Sequence, residues 1–457
     1  MNGSLPPLKA SVRDALRARI RGITLLPGDA QYDTARQVWN GAIDRRPSCI
    51  IRCADAEDVS HAVRIAADNG LALTIRGGGH NVAGRSISDG KLLLDLSRLR
   101  QVTVNRESRI AAVQGGALWR DVDAATAIDG LATTGGLISS TGVGGFTLGG
   151  GAGWLMRKHG LACDNVRSFG VVLGDGRFIR ASAGEHTDLY WGLRGGGGGL
   201  GVVTSFEFEL HPLREVMAGV VVHPAENAGA ALRHFRDFAA DAPEEFCGLA
   251  IIAHAPPLPF IEPEWHTRPV VVFAVCWSGE LAQGERVLAP LRAWGSPLVD
   301  HVGPMPYAQW QRMQDPAAPR GHYYYWKTAN YAALSDATLN ELAAMAYCLP
   351  TKRCEIHVQH MGGAVARRAA EDAAFAHRQA RFFVNFIGIS DAASAIGELR
   401  DRVRTLHAKA AVDALPGILP NFTDQDDNDP VRQLGAQNAV RLASLRRTYN
   451  PTDTLQS

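Results

Sequence analysis

The stretch that decides the fold is Arg76-Gly-Gly-Gly-His80-Asn81-Val-Ala-Gly84, which follows the apolar run Leu71–Ile75. This order predicts a strand that ends in a glycine-rich turn. Because three successive positions lack side chains, the backbone can approach a ligand and point its N–H groups at phosphate or ring oxygens. A histidine in this place could simply cap the turn. Beside a bare backbone, His80 is also the nucleophile that a covalently held cofactor needs.

Two further segments are rich in glycine, TGVGGFTLGGGAGW at 141–154 and RGGGGGLGVVT at 194–204. Neither contains GK[ST], so neither is a P-loop. The first has loose dinucleotide-fold spacings, but no acidic residue follows at the right place in a strand–helix–strand unit. A better interpretation of this segment is a set of backbone amides around a pyrophosphate, because the missing side chains allow close approach.

Length and composition bound the class of protein. A chain of 457 residues has room for two or three packed units. Its 47 Lys and Arg nearly balance its 46 Asp and Glu, so nothing favours nucleic acid or an anionic membrane as partner. No secretion signal and no apolar run of about 20 residues is present. The seven scattered cysteines predict reduced thiols and a cytoplasmic protein, and no metal site is predicted.

Hydrophobic periodicity predicts alternating strands and helices along the whole chain. A helix is predicted over 8–22, and others over Ala56–Asn69, Trp119–Ala127, Glu226–Ala240, Leu281–Trp294, Thr338–Ala346, Ser394–Ala411 and Gln437–Tyr449. Strands are predicted at Cys49–Arg52, Leu71–Ile75, Lys91–Leu96, Gln101–Val104, Ile110–Gln114, Val171–Leu173, Val202–Leu210, Val216–His223, Pro269–Trp277 and Arg353–Met361.

Together with HGLACDNV (His159–Val166) and the run Asp188–Phe208, the three glycine-rich segments resemble the flavin domain of the vanillyl-alcohol oxidase superfamily. The closer resemblance is to the branch of berberine-bridge-type oxidases and 6-hydroxynicotine oxidases. It implies an α+β fold, with a two-part FAD-binding PCMH-type module and an α+β substrate cap built on a mostly antiparallel sheet. The implied FAD domain covers 35–212, the cap 213–411, and a C-terminal return to the FAD domain 412–457.

The resemblance also implies which residues contact FAD. These are Arg76, Gly77, Gly78, Gly79, His80, Asn81, Gly84, Thr141, Gly142, Gly144, Gly145, Gly149, Asn165, Val202 and Val203. In the resembled family the equivalent of His80 is bonded to the 8α-methyl carbon of the flavin. A cysteine that makes a second bond in many members is replaced by Ile138, so FAD is expected to be covalent through His80 only.

The cap supplies the predicted catalytic residues. If the segment 322–327 is a strand, Tyr323 and Tyr325 share one face and Tyr324 and Trp326 the other. Glu355, His357 and Gln359 share one face of another strand, which lies either in a pocket or against water. We predict Tyr323, Tyr325, His357 and Gln359 as the catalytic set. The tyrosine that many relatives place before Asn-Phe near the C-terminus is Leu419 here.

The implied reaction is removal of a hydride from a C–H bond next to oxygen or nitrogen of a small molecule, an alcohol, a sugar or a secondary metabolite. The flavin would accept it at N5, and dioxygen would reoxidise the flavin and yield hydrogen peroxide. Two alternatives stay open: a dehydrogenase with another electron acceptor, and a flavin-holding protein without turnover. Arg85 bears on this choice, since the residue after H-x-x-x-G helps to decide oxygen access in the resembled family.

Overall fold

The computed structural model describes residues 8–456 and contains two five-stranded sheets, one seven-stranded sheet and one two-stranded sheet. The strands are β1 Ile23–Leu25, β2 Cys49–Arg52, β3 Leu73–Arg76, β4 Leu92–Asp95, β5 Val102–Asn105, β6 Ile110–Gln114, β7 Leu131–Ala132, β8 Val166–Val172, β9 Phe178–Ser182, β10 Val202–Glu209, β11 His211–Pro212, β12 Glu215–Pro224, β13 Phe246–His254, β14 Pro269–Trp277, β15 Val299–Pro306, β16 Tyr323–Tyr331, β17 Glu355–His360, β18 Phe382–Ser390 and β19 Leu455–Gln456. The α-helices are α1 Ala10–Arg19, α2 Tyr32–Ala35, α3 Ala56–Asp68, α4 Trp119–Ala127, α5 Val143–Leu148, α6 Met156–His159, α7 Thr187–Leu193, α8 Ala228–Asp241, α9 Leu281–Arg292, α10 Tyr307–Trp310, α11 Asp336–Ala344, α12 Ala364–Arg367, α13 Ile396–Ala410, α14 Pro430–Leu434 and α15 Ala436–Tyr449.

The first sheet is mixed and carries the first glycine-rich segment. Its strand order is β1-β2-β4-β3-β19, with β1 antiparallel to β2 and the other pairs parallel. Helices α1 and α3 pack together, and the apolar side chains of both join the core under this sheet, Val12 and Val63 among them. Helix α1 and strand β1, which precede the predicted start of the FAD module at residue 35, belong to this layer as well.

Local chemistry explains where α3 begins and ends. The Asp55 carboxylate accepts hydrogen bonds from the N–H groups of Glu57 and Asp58, at 2.9 and 3.0 Å, which satisfies two free donors of the first turn. The helix ends before Gly70, whose φ of 62° is a left-handed conformation that suits glycine. These two residues fix the length of the connection between β2 and β3.

The second sheet is antiparallel, with the order β5-β6-β10-β8-β9. Strand β10 is its central member; its burial alternates from Thr204 onward, whereas Val202 and Val203 are both buried. Val202 packs into the core of the first sheet, whereas Val203, Phe206 and Phe208 pack into the core that contains Trp119 of α4. Because one strand serves both cores, the two sheets are held against each other.

The cap sheet has seven antiparallel strands in the order β15-β12-β14-β13-β17-β18-β16. Helices α8, α9, α11 and α13 cover one face, where Phe235 and Leu339 are buried. The other face packs on the part of the chain that precedes the cap, with Leu249 and Ala274 beside Trp154. The predicted α+β fold with a mostly antiparallel cap sheet is confirmed.

Sequence reasoning did not find β13 and β18, although both lie in the middle of the cap sheet. Every residue of β18 is buried, and so is every residue of β13 except the last, His254. A strand covered on both faces shows no alternation of polar and apolar residues, so its pattern does not distinguish it from a buried helix.

The last part of the described chain packs on the first two sheets. Helix α15 contacts α7 and buries Leu442 and Leu445 in the core of the second sheet. Strand β19 then pairs with β3, with Leu455 opposite Leu73. Before α15, a single bridge joins Leu415 to Asn330 of the cap, so this segment touches both units. Within residues 8–456 no helix has the length and apolar character needed to cross a membrane.

Candidate active site

The first glycine-rich segment starts at a bracket of charged side chains. Arg52, Arg76 and Asp95 are the last residues of β2, β3 and β4 and lie in register. One oxygen of the Asp95 carboxylate accepts hydrogen bonds from Arg52 at 2.9 Å and Arg76 at 2.8 Å. Burial alone would raise the pKa of Asp95, but the two guanidiniums hold it below its ordinary value. These bonds hold the ends of β2, β3 and β4 side by side, and Gly77 follows directly after β3.

The first and second glycine-rich segments touch each other through their backbones. A Cβ atom added to Gly78 would lie 2.5 Å from the backbone nitrogen of Gly142, and one added to Gly142 would lie 2.3 Å from that of Gly78. Any side chain at either position would push the segments apart. The glycines are therefore required for this close approach.

A cavity of about 610 Å³ lies between the glycine-rich segments and the cap sheet. Its FAD-unit wall contains Gly77, Gly78, Gly79, His80, Asn81, Thr141, Gly142, Gly144, Gly145, Gly149, Gly197 and Val203. Its cap wall contains Tyr324, Trp326, Glu355, His357, Asn385, Ile387 and Ile389. The segments that the sequence places far apart are therefore brought together on one cavity.

His80 stands at the junction of the two walls. Its ring stacks on Trp39 with centroids 4.1 Å apart, and Trp39 stacks in turn on Tyr324 at 3.8 Å. The hydroxyl of Ser140 lies 3.4 Å from Nε2 of His80. Burial lowers the pKa of His80 to about 3, so the imidazole is neutral at neutral pH and keeps a lone pair on one nitrogen.

The register of three neighbouring strands builds the cap wall in rows. Ile387 of β18 lies opposite both Trp326 and Glu355, and Asn385 lies opposite His357. The carboxylate of Glu355 is 2.7 Å from Nε2 of His357. The wall therefore carries a paired carboxylate and imidazole next to aromatic and amide side chains.

Two of the four predicted catalytic residues lie on the wrong face of β16. Tyr325 is buried in the core between the cap sheet and its helices, and its hydroxyl donates to Asp426 at 2.7 Å. Tyr323 does not line the cavity either. Their neighbours Tyr324 and Trp326 do, so the predicted faces are correct as sets but the cavity lies on the opposite side.

Gln359 is also outside the cavity, although it shares its strand face with Glu355 and His357. The side chain of Gln359 is buried, and its amide nitrogen has no protein partner in the described chain. Only His357 of the predicted catalytic set lines the cavity.

Four of the residues predicted to contact FAD do not line the cavity and have other contacts. Arg76 is used in the bracket with Asp95, and Gly84 packs on Ile43, where a Cβ would lie 2.7 Å from a side-chain carbon. The amide of Asn165 donates to the carbonyl of Leu161 at 2.8 Å and closes a turn. Val202 lies in the core of the first sheet.

Sequence reasoning missed several lining residues from distant parts of the chain. Arg446 of α15 faces the cavity, and its NH2 group donates to the carbonyl of Gly198 at 3.3 Å. Asn421 bonds to the second glycine-rich segment, accepting from Gly151 N–H at 2.9 Å. The sequence around Arg446 and around Asn421 contains no pattern that predicts either contact. Leu419, by contrast, is buried in the core between the units and does not line the cavity.

Comparisons with known proteins agree with this geometry. The model of an FAD binding domain matches residues 47–182. An FAD-linked oxidoreductase of Dictyostelium discoideum is 28% identical over 439 residues, or 94% of this chain and 92% of the relative. The (R)-6-hydroxynicotine oxidase of Paenarthrobacter nicotinovorans is 34% identical over 292 residues, 63% of this chain and 62% of that enzyme. The crystal structure of 6-hydroxy-D-nicotine oxidase from Arthrobacter nicotinovorans superposes with a TM-score of 0.86 at 26% identity, covering 95% of this chain and 96% of that one.

The chain is an FAD-linked oxidoreductase that is similar to the PCMH-type, berberine-bridge-like oxidases. The lining of this flavoprotein fits the cofactor. A Cβ added to Gly145 or Gly197 would meet nothing within 4 Å and would occupy the cavity itself. The buried Nε of Arg446 has no protein partner in the described chain, as expected for a cation that faces a phosphate or a ribose. These residues would hold FAD by its nucleotide and pyrophosphate, and His80 would stand beside its ring system.

The cysteine chemistry of the flavoprotein agrees with a single attachment point. Ile138, at the position where many relatives carry the second linking residue, lines the cavity. A branched alkyl side chain cannot form a thioether. Cys163 is fully buried outside the cavity, and burial raises the pKa of its thiol. The described cavity lining contains no cysteine.

Proposed function

We propose that this flavoprotein is an oxidase that holds FAD covalently through His80 alone. It removes a hydride from a C–H bond next to oxygen or nitrogen of a small molecule, and dioxygen accepts the electrons to give hydrogen peroxide. The observation that carries the proposal is the single cavity, which runs from the glycine-rich segments to the polar cap wall. Cofactor and substrate can therefore meet in one cavity. The division into an FAD unit and a substrate cap over 213–411 is part of this proposal.

When bound, FAD supplies the hydride acceptor and the site of reaction with dioxygen. The backbone of the glycine-rich segments binds the cofactor, and the neutral imidazole of His80 has the lone pair that attachment needs. The apolar residues that line the cavity, Phe146 and Ile387 among them, would keep water away from the bound cofactor.

The pair Glu355–His357 is the proposed proton acceptor. As hydride leaves the substrate, its O–H or N–H proton must be taken by a base within hydrogen-bond reach. Nε2 of His357 lies 2.7 Å from the Glu355 carboxylate, so a proton accepted by the imidazole would be stabilised at once by the negative charge. This pair would replace the tyrosine that the Leu419 position lacks.

Aromatic side chains would orient the substrate. The rings of Trp326 and Phe422 are nearly parallel, with centroids 6.2 Å apart, and both line the cavity. The indole N–H of Trp326 has no protein acceptor in the described chain, so it can donate to a substrate oxygen or nitrogen. A flat or ring-shaped alcohol, sugar or amine fits these surfaces, in keeping with the 6-hydroxynicotine oxidases that the chain resembles.

The test is a peroxidase-coupled screen of sugars, cyclic alcohols and hydroxylated nitrogen heterocycles with the purified protein. We expect a yellow protein whose colour stays with the acid-precipitated polypeptide, and peroxide formation with at least one compound class. A His357→Ala variant should keep the yellow colour and lose peroxide formation about 100- to 10,000-fold. A protein without bound flavin would refute the proposal.

A dehydrogenase is the second candidate, and Arg85 bears on the choice, because a long side chain there would obstruct dioxygen whereas its charge would stabilise superoxide. This arginine lines the cavity and donates to the carbonyl of Asp427 at 3.2 Å. Burial lowers its pKa, but the nearby Asp427 and Asp424 oppose this effect, so a cation faces the flavin cavity. Anaerobic reduction by substrate followed by mixing with air separates the candidates, since slow reoxidation would support the dehydrogenase.

A flavin-holding protein without turnover is the third candidate, favoured by the buried Leu419. It predicts bound FAD that no compound of the screen bleaches under anaerobic conditions. Bleaching by any of them excludes it.

A further inference from the structure

We propose that the cap segment 315–324 positions His80 for its bond to the flavin, with Asp315 and Ser140 as positioning residues. The inference rests on the covalent attachment proposed above and adds a requirement to it: the cap must be in place before the bond can form. Two independent sets of contacts carry it, one on each side of the imidazole ring.

On one side the segment acts through the second glycine-rich region. The Asp315 carboxylate accepts two hydrogen bonds from Ser139, from the backbone N–H at 2.7 Å and from the hydroxyl at 2.6 Å. Ser139 is 3% exposed, so these bonds are largely shielded from water. The next residue, Ser140, places its hydroxyl 3.4 Å from Nε2 of His80. A carboxylate of the cap thus fixes the backbone from which the hydroxyl reaches the ring.

On the other side the segment acts through Trp39. The indole N–H donates to the carbonyl of Ala318 at 3.0 Å. The backbone of Trp39 accepts from Gly321 N–H at 2.9 Å and donates to the carbonyl of Gly79 at 3.0 Å. The indole ring stacks on His80 at 4.1 Å with an angle of 17° between the planes. The cap therefore fixes the surface on which the imidazole lies.

His80 has little else to orient it. It follows Gly79, whose φ of 66° places it at the end of a run without side chains. Ser140 is the one other side chain in the described chain that meets its ring nitrogens at hydrogen-bond distance. Because attack on a carbon atom requires a defined direction of the lone pair, loss of this orientation should slow bond formation strongly.

Attachment forms one bond between an imidazole nitrogen and the 8-methyl carbon of the flavin. It breaks the imidazole N–H bond and one methyl C–H bond. Two electrons and two protons are released, and dioxygen takes them as hydrogen peroxide, so atoms and electrons balance. The protein contributes position and a neutral ring; the oxidant is dioxygen.

The test compares full-length wild-type protein with Asp315→Ala, Ser140→Ala and Ser140→Thr. Each is incubated with added FAD, and the flavin that stays with the acid-precipitated chain is followed over time and confirmed by the mass of the flavinylated peptide. We expect covalent attachment to slow about 10- to 100-fold in the two alanine variants. Ser140→Thr keeps a hydroxyl and should restore the rate. Non-covalent FAD binding and the unfolding midpoint should stay close to wild type.

The matched control is Asp413→Ala, because Asp413 also accepts from hydroxyl groups, those of Ser335 and Thr338, but within the cap and away from His80. It should attach FAD at the wild-type rate. Wild-type rates in both alanine variants, a parallel loss of FAD binding and stability in Asp315→Ala, or no rescue by Ser140→Thr would each overturn the inference while the proposed oxidase stands. If wild type itself releases all its flavin into acid, the covalent part of the proposed function fails, and the inference with it.

Discussion

Replacement of Glu355 by glutamine is the sharpest test of the proposed base. The variant keeps the size of the side chain and one oxygen, but removes the negative charge 2.7 Å from Nε2 of His357. A hydrogen bond to a charged group is worth about 1.5–3 kcal/mol, and 1.36 kcal/mol is a factor of ten. Since this stabilisation is needed only when the imidazole holds the substrate proton, we expect flavin reduction to slow about 10- to 100-fold.

The assay is anaerobic stopped-flow reduction of the flavin by a substrate found in the peroxide screen, at several pH values. The rate of reduction should fall in Glu355→Gln, because no carboxylate then stabilises the imidazolium that forms when His357 takes the substrate proton. Glu285→Gln, which removes a carboxylate paired with Arg292 on the far side of the cap, is the matched control. A changed substrate affinity with an unchanged reduction rate and pH profile would show that Glu355 binds substrate and does not assist a base.

Three further outcomes follow from the structure. In a His80→Ala background, Ile138→Cys should restore flavin that resists acid release, since residue 138 lines the cavity; an acid-labile flavin would contradict its placement. Asp164→Asn should destabilise the protein by about 3–5 kcal/mol, measured by urea unfolding, because it leaves the buried guanidinium of Arg378 without its carboxylate partner at 2.7 Å. His360→Gln should make the protein less sensitive to acid. Burial lowers the pKa of His360 from 6.5 to about 2, so as the pH falls below 6.5 only the unfolded chain takes up this proton. At pH 5 the folded state of the wild type then loses about 2 kcal/mol that the variant keeps, and equal differences from wild type at pH 5 and pH 7 would refute this assignment.

The FAD side of the cavity could be predicted because its determinants are local. Gly77 to His80 form one short segment and the glycines at 142, 144 and 145 another, and in each segment the missing side chains already indicate a close approach of the backbone. The structure brings all of them to one cavity. The exceptions, Arg76, Gly84, Asn165 and Val202, show the limit of a motif: a residue that the local fold requires need not face the cavity.

The cap side could not be predicted, because it depends on which face of a sheet meets the FAD unit. Alternation along β16 separates Tyr323 and Tyr325 from Tyr324 and Trp326, but both sets contain large aromatic rings. Helices cover one face of the sheet and the cavity opens on the other, which only the tertiary packing decides. If the other face of a strand is chosen, every side chain predicted for that strand lies on the side away from the cavity.

The residue rows of the cap wall offer a proposed base in place of the C-terminal tyrosine. Glu355 and His357 stand on β17, and the facing positions of β18 are Ile387 and Asn385, so the proposed base is built on a paired sheet and not on a loop. A sheet holds side chains at fixed spacing, which suits a group that must lie within hydrogen-bond reach of a substrate. The segment around Asn421 has a different role. The Asn421 amide donates to the carbonyl of Phe146, in the second glycine-rich segment, at 3.0 Å. Substitutions on the sheet face can therefore change the substrate without disturbing the cofactor site. Changes at Asn421 should instead weaken FAD binding first.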